Sequence, residues 1–283
     1  MFFKYPNDEI AYKDYEQDFM VADIVKVTPL LNKTATSIES YFPQGDWLDL
    51  NTMSILSVNE SKMVNLTVGD SIAHYLAPGA LIPIVDDSDS PIMTASDIIK
   101  HKTRLLINPN DIGMAYGSIF VDDGNNMTSF YIGEYEYWQF QVSAKSIHKY
   151  TVYQNEGFGT NMTNQNRIIK DIVITGADKW TSQANLFACA VSEDMTFTDL
   201  PAAYDDKTKM LTITPSDDLL YSGFRDIYYG SVDNKDFNFC DRTDSYSYMA
   251  VSMPDLSKNI STVELVHKAG ILPNLTVTFA QLI

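Results

Sequence analysis

The chain has 283 residues, 45% of them hydrophobic and 20% charged. That apolar share excludes a disordered or collagen-like polymer and is enough for one large domain or two smaller ones. Lys plus Arg number 20 against 37 for Asp plus Glu, a formal charge of −17 that repels phosphate backbones and anionic lipid heads. Nucleic acid and membrane surfaces are therefore poor partners. The longest apolar stretch, Ala73 to Val85, holds Pro78 and Pro83 and is too short to span a bilayer.

Taken in chain order, the residues predict strands almost throughout. Phe19 to Leu31 is close to continuously apolar, as a strand buried on both faces is, with Asp23–Leu31 as its β-branched centre. Such a strand suits a parallel sheet or barrel, and no barrel precedes it here. Left unpaired, its edge at Ile24–Leu31 would template other strands, so a free monomer is not expected. Further strands are predicted at Ser37–Phe42, Lys62–Val68, Arg104–Ile107, Gly117–Val121, Ser129–Ile132, Tyr137–Val142 and Ser146–Tyr153. Beyond these come Ile168–Thr175, Leu186–Val191, Lys209–Thr214, Ser247–Val251, Thr262–His267 and Asn274–Phe279. Asp123-Gly124 reads as the hairpin turn between Gly117–Val121 and Ser129–Ile132, and Asp205 to Thr208 closes another before Met210. No segment keeps helical apolar spacing beyond about two turns, so helices should be few.

Two clues bear on compartment. Cys189 and Cys240 permit one disulfide without demanding it, and zinc spacing is absent. Seven Asn-x-Ser/Thr sites occur, at Asn32, Asn59, Asn65, Asn126, Asn161, Asn259 and Asn274, where chance predicts about three. They favour a glycosylated product of the secretory pathway, extracellular or lysosome-like. The start, Met1-Phe2-Phe3-Lys4, lacks the basic and apolar regions of a signal peptide, so the sequence is expected to continue a longer upstream chain.

Phe2-Phe3-Lys4-Tyr5-Pro6-Asn7-Asp8, Asp18-Phe19-Met20-Val21-Ala22-Asp23 and Val27-Thr28-Pro29-Leu30-Leu31 resemble the end of the catalytic region in family 31 glycoside hydrolases, the α-glucosidases. The similarity runs on through Tyr41-Phe42-Pro43-Gln44-Gly45-Asp46-Trp47-Leu48-Asp49, Leu76-Ala77-Pro78-Gly79-Ala80-Leu81-Ile82-Pro83 and Ala115 to Gly124, and ends at Asp171 to Gly176. No family pattern is visible from about residue 216. The resemblance implies a mainly β fold. A remnant of the barrel end (1–35) precedes a proximal β-sandwich (36–95), a distal β-sandwich (96–215) and an extension of unknown type (216–283). Ala22 stands where the family has Gly, Ala77-Pro78 where it has Arg-Gly, and Leu48 where it has an aromatic residue. Lys26 replaces an apolar residue, and its ammonium needs a carboxylate partner or a solvent-facing position.

Retaining hydrolysis needs two carboxyl groups about 5–5.5 Å apart. The family motif that carries its nucleophile, W-x-D-M-N-E, has no counterpart here, so no catalytic residue is carried over. Asp86-Asp87-Ser88-Asp89 reads as a solvated loop. Asp122-Asp123 reads as a turn cap, with calcium the alternative. His74, His101, His148 and His267 show no metal spacing, and no cofactor or metal is expected. Trp47, Trp138, Trp180 and the 17 tyrosines could stack on sugars, though core packing is the blander reading. The sequence thus reads as the non-catalytic C-terminal β-portion of an α-glucosidase-like protein that supports a barrel acting on terminal α-glucosides. Its partners would be a barrel-bearing polypeptide or other subunits. The alternative is a secreted structural or carbohydrate-binding pseudo-enzyme with Tyr228, Tyr229, Tyr246 and Tyr248 facing its partner.

Overall fold

The computed structural model describes residues 1–12, 18–32, 35–67, 72–88, 90–124, 126–154, 165–180, 184–231, 240, 263–264 and 276–277. Two compact units divide the chain at Cys240/Asp241. In the second, the described residues are one antiparallel pair of two-residue strands, given below. The strand predicted at Ser247–Val251 lies outside the described residues, as do Tyr246, Tyr248 and His267.

The first unit opens with β1 (Phe19–Val21), β2 (Val25–Thr28), β3 (Ser37–Phe42), β4 (Gly45–Asp49), β5 (Ser54–Val58), β6 (Lys62–Thr67) and β7 (Ala73–Leu76). Five of these form one antiparallel sheet in the order β1-β2-β7-β4-β5, and β3 pairs with β6 across from it. Phe42, Trp47, Val58, Leu66, Tyr75 and Ala77 fill the space between. Phe42 meets Trp47 and Tyr75 edge-on, with ring centroids 5.5 and 4.9 Å apart. Trp47 is a core residue, fully buried, whose indole N–H donates to the Pro43 carbonyl at 3.0 Å.

The strand expected to belong to a barrel is instead paired on both edges within this sheet. Val25–Thr28 lies between β1 and β7, Phe19 opposite Val27 and Val27 opposite His74. The correction has a plain cause. Ala22 and Asp23 adopt positive φ, 49° and 58°, and turn the chain back before an extended run from Phe19 to Leu31 can form. The apolar run is therefore a hairpin whose second strand is paired on both sides, with β1 at the edge of the sheet.

The larger body comprises β8 (Ala80–Val85), β9 (Thr103–Asn108), β10 (Ala115–Val121), β11 (Glu136–Ser143), β12 (Ser146–Gln154), β13 (Ile168–Ile174) and β14 (Leu186–Val191). It continues with β15 (Phe197–Asp199), β16 (Ala202–Asp205), β17 (Met210–Ile213), β18 (Leu219–Leu220) and β19 (Asp226–Ser231); β20 (Val263–Glu264) and β21 (Thr276–Val277) are the pair in the second unit. The sheet runs β15-β14-β19-β12-β11-β10-β8-β9-β13-β17-β16, with β18 on β13. Most pairings are antiparallel; β8–β10 and β9–β13 are parallel. Two one-turn helices, α1 (Ala95–Ile98) and α2 (Ser129–Ile132), interrupt it.

One core cluster draws on both halves of this sheet, with Leu105, Ile107, Ile172 and Leu211 from one and Trp138, Phe140, Ile147 and Ile227 from the other. The sheet therefore folds over on itself, as a sandwich does. The fold falls where β10 touches β8 at one register pair, Tyr116 opposite Ala80. Gly117 makes that approach possible, because a Cβ there would sit 2.2 Å from the Leu81 carbonyl oxygen. Tyr221 clamps the halves: its ring stacks on Trp138 at 5.5 Å while its hydroxyl bonds Thr103 at 2.6 Å. Arg167 adds a buried two-pronged pair with Glu136, at 2.7 and 2.6 Å.

Three sequence expectations change. Ser129–Ile132 is helical, closed by Gly133 at φ 72°, so Asp123-Gly124 opens a longer β10–β11 connection and not a two-residue hairpin. The Asp205 to Thr208 turn does join β16 to β17. Within 216–283, β19 is an interior strand between β14 and β12, and Tyr229 is 3% exposed with its hydroxyl on the Ser143 carbonyl. Tyr229 is a core residue and cannot face a partner. Cys189, on β14, is bonded to Cys240. Closing those 51 positions is worth about 4 kcal/mol on the chain-entropy account.

Gly117→Ala should destabilise the chain by about 1–3 kcal/mol, by forcing β8 and β10 apart. Urea unfolding measures this, and an unchanged midpoint would contradict the close crossing.

Candidate functional site

Asp86, Asp122 and Asp123, singled out from sequence, are occupied structurally. Asp122 and Asp123 accept the backbone N–H groups of Gly124 and Asn126 at 2.9 and 2.8 Å, the geometry of turn caps. Asp86 pairs with Lys170 and accepts from Ser88. Burial pushes its carboxyl up, but the Lys170 ammonium and Ser88 hydroxyl outweigh this and hold it below the usual carboxylate range. Asp89 lies outside the described residues. His74 bonds the Ile72 carbonyl, His101 the Ser90 hydroxyl, and His148 the Asp226 carboxylate. Among the described residues no three His, Cys, Asp or Glu groups are placed to hold a metal.

Lys26 has the partner its burial requires. Its ammonium, fully buried, donates to Asp18 at 2.6 Å, to Thr28 at 2.7 Å and to Ser40, and lies 4.4 Å from the Phe42 ring centroid. Asp18 also accepts from the Ser40 hydroxyl at 2.8 Å and the Tyr41 N–H at 3.1 Å. The cluster joins the β1–β2 hairpin to β3, the facing sheet.

The hairpin so fixed carries its turn to the outer face of the larger sheet. There a groove of about 530 Å³ opens between Ala22 and Ile24 on one side and Tyr116, Ser118, Gln139 and Tyr150 on the other. Its floor is the β8–β10 crossing at Leu81 and Gly117. Strand alternation puts these side chains outward, since Ala115, Ile119, Trp138, Phe140, Val142 and Ile147 all point into the core. The register then aligns them in rows: Tyr116 opposite Gln141 opposite His148, and Ser118 opposite Gln139 opposite Tyr150. Tyr116 is 51% and Tyr150 47% exposed. Tyr150 is held in place by its hydroxyl on Gln141 at 3.1 Å and by the His148 ring edge-on at 4.4 Å. Farther along the face, the Gln139 amide and Ser118 hydroxyl hold the Tyr137 phenol below its usual pKa. Sequence reading missed this groove. The alternating tyrosines and glutamines of β10–β12 were visible, but their rows need the register.

The Lys26 cluster has a quantitative consequence. Lys26→Met leaves Asp18 buried without its cation and should cost about 3–5 kcal/mol, whereas the double variant Lys26→Met/Asp18→Asn should recover a large part. Urea unfolding of both variants measures this, and equal losses would contradict a charge-paired core.

Comparison with known proteins agrees with this architecture. Residues 1–82 match the family model described as the glycosyl hydrolase family 31 C-terminal domain. A probable alpha/beta-glucosidase of Aspergillus clavatus is 32% identical over 129 residues, covering 45% of this chain and 14% of that one. The alpha-glucosidase of Hordeum vulgare is 29% identical over 128 residues, with 44% and 14% coverage. The chain thus spans about one seventh of these relatives' length. Among solved structures, the glucosidase II alpha subunit bound to alpha3-Glc2 superposes with a TM-score of 0.69 at 18% identity, over 81% of this chain and 25% of that one. A related structure is the glucosidase II complex of a catalytic subunit with the binding domain of a regulatory subunit, at a TM-score of 0.68, 18% identity and the same coverage. Together these matches, carried in sequence by residues 1–82, support a C-terminal region of glycoside hydrolase family 31.

Proposed function

We propose that this region is a non-catalytic support, packing as β-sandwiches against a barrel that hydrolyses terminal α-glucosides. The observation that carries the reading is the match of residues 1–82 to a C-terminal domain together with coverage of 14% of the relatives' length. The sequence also lacks the W-x-D-M-N-E motif. The support would divide into a proximal and a distal β body, expected near 36–95 and 96–215, with β1 and β2 added to the first sheet and β8 and β19 to the second. Its partners would be a barrel-bearing polypeptide or other protein subunits; the glucosidase II complex of a catalytic subunit with the binding domain of a regulatory subunit supports a protein partner in general.

The compartment proposed is the secretory pathway. The Cys189–Cys240 bond supports it, since disulfides persist in oxidising compartments. Asn32, Asn59 and Asn65 are exposed and accessible to a glycosyl transferase, and Asn126 is half-buried with its side-chain oxygen bonded by Thr128. Asn161, Asn259 and Asn274 lie outside the described residues. Among the described residues no helix is long and apolar enough to cross a membrane.

The purified 283-residue chain should show no turnover of maltose or a nitrophenyl α-glucoside above buffer. Hydrolysis that survives removal of contaminating glucosidase would contradict the support role. Secretion from eukaryotic cells should yield a product whose mass falls on treatment with an N-glycosidase, and an unchanged mass would contradict the glycosylation sites.

A further inference from the structure

The groove beside the β1–β2 turn has a chemistry that the support role does not use. Among the described residues its lining holds no Asp, Glu, Lys, Arg or His, in a chain whose formal charge is −17. It is lined by the half-exposed rings of Tyr116 and Tyr150, the amides of Gln139 and Gln141, and the Ser118 hydroxyl. Amides and hydroxyls both donate and accept, which suits a ligand whose hydroxyls do the same. Exposed ring faces, negative at their centres, suit a ligand with polarised C–H groups on a flat face. A neutral sugar satisfies both requirements, whereas a charged ligand would find no counter-charge among the described lining residues.

The spacing narrows the ligand further. Tyr116 and Tyr150 lie two strands apart and two residues out of register, about 12 Å between backbone positions by ordinary sheet dimensions. The two glutamines of β11 lie between them. One ring could stack on either tyrosine, but a monosaccharide could not reach both. Ala22 and Ile24 form the wall, set by a turn whose Ala22 and Asp23 lie in the left-handed region.

We propose that this groove binds a neutral oligosaccharide, with Tyr116 and Tyr150 as stacking platforms and Gln139 and Gln141 as hydroxyl partners. The site needs no barrel residue, so it stands or falls apart from the support role. Calorimetric titration of the full chain with maltoheptaose and with cellohexaose tests it, with a heparin-derived octasaccharide as the charged comparison. At least one neutral glucan should bind. Tyr116→Ala and Tyr150→Ala should each weaken that binding by about tenfold, and Tyr116→Phe, which keeps the ring, should stay within about twofold. Both tyrosines are half exposed, so circular dichroism and the melting temperature should stay near the parent's values. Three results would overturn the proposal: no heat of binding with either glucan at about 10 mM, undiminished binding by the folded alanine variants, or tighter binding of the sulfated octasaccharide. A parent that sediments as a dimer and dissociates on Tyr116→Ala would also overturn it, by making this face a contact between copies.

Discussion

A fully buried ammonium dictates where the first hairpin lies. Lys26 cannot leave water without a counter-charge and hydrogen-bond acceptors, and these come from three places: Asp18 before β1, Thr28 on β2 itself and Ser40 on the facing sheet. Satisfying all three leaves the hairpin little freedom to slide or to pair elsewhere. Its turn is thereby delivered to the outer face of the larger sheet, where Ala22 and Ile24 become one wall of the tyrosine-lined groove. A core electrostatic requirement thus shapes a surface feature some distance along the chain.

The larger body meets a different constraint. Twelve strands cannot lie flat around one core, so the sheet doubles over at its weakest pairing, the single β8–β10 contact. Gly117 lets the backbones cross, and Tyr221 and the Arg167–Glu136 pair tie the halves from inside. A third apolar cluster, including Leu48, Leu76, Leu106 and Val173, with Ile24 and Val25 packed against it, joins the small sheet to this body. The small sheet and the larger body therefore hold together through their own contacts.

Local pattern revealed some of this and tertiary context the rest. The period-two alternation of Tyr137–Val142 and the β-branched run of Ile168–Thr175 name their strands directly. The need of Lys26 for a carboxylate was equally legible, but Asp18 could not be singled out, because only the hairpin brings it near. Phe19 to Leu31 was misread as one buried strand, since two non-glycine residues with positive φ carry no composition signal. Ser129–Ile132 holds β-forming side chains, yet Gly133 closes a helical turn there. β19 was hidden in a tyrosine-rich stretch whose inward and outward residues cannot be sorted without its neighbours β14 and β12. The groove was invisible for the same reason, its parts being spread over four strands and a turn.

Amide hydrogen exchange on the isolated chain tests the central claim most directly, namely that residues 19–28 close a β body of their own. The amides of Val25 to Thr28 that pair with β1 and β7 should exchange as slowly as those of Leu48 and Leu76 in the same sheet. Exchange at the rate of an unpaired strand would mean that this segment belongs in another polypeptide's sheet, and the account would be wrong.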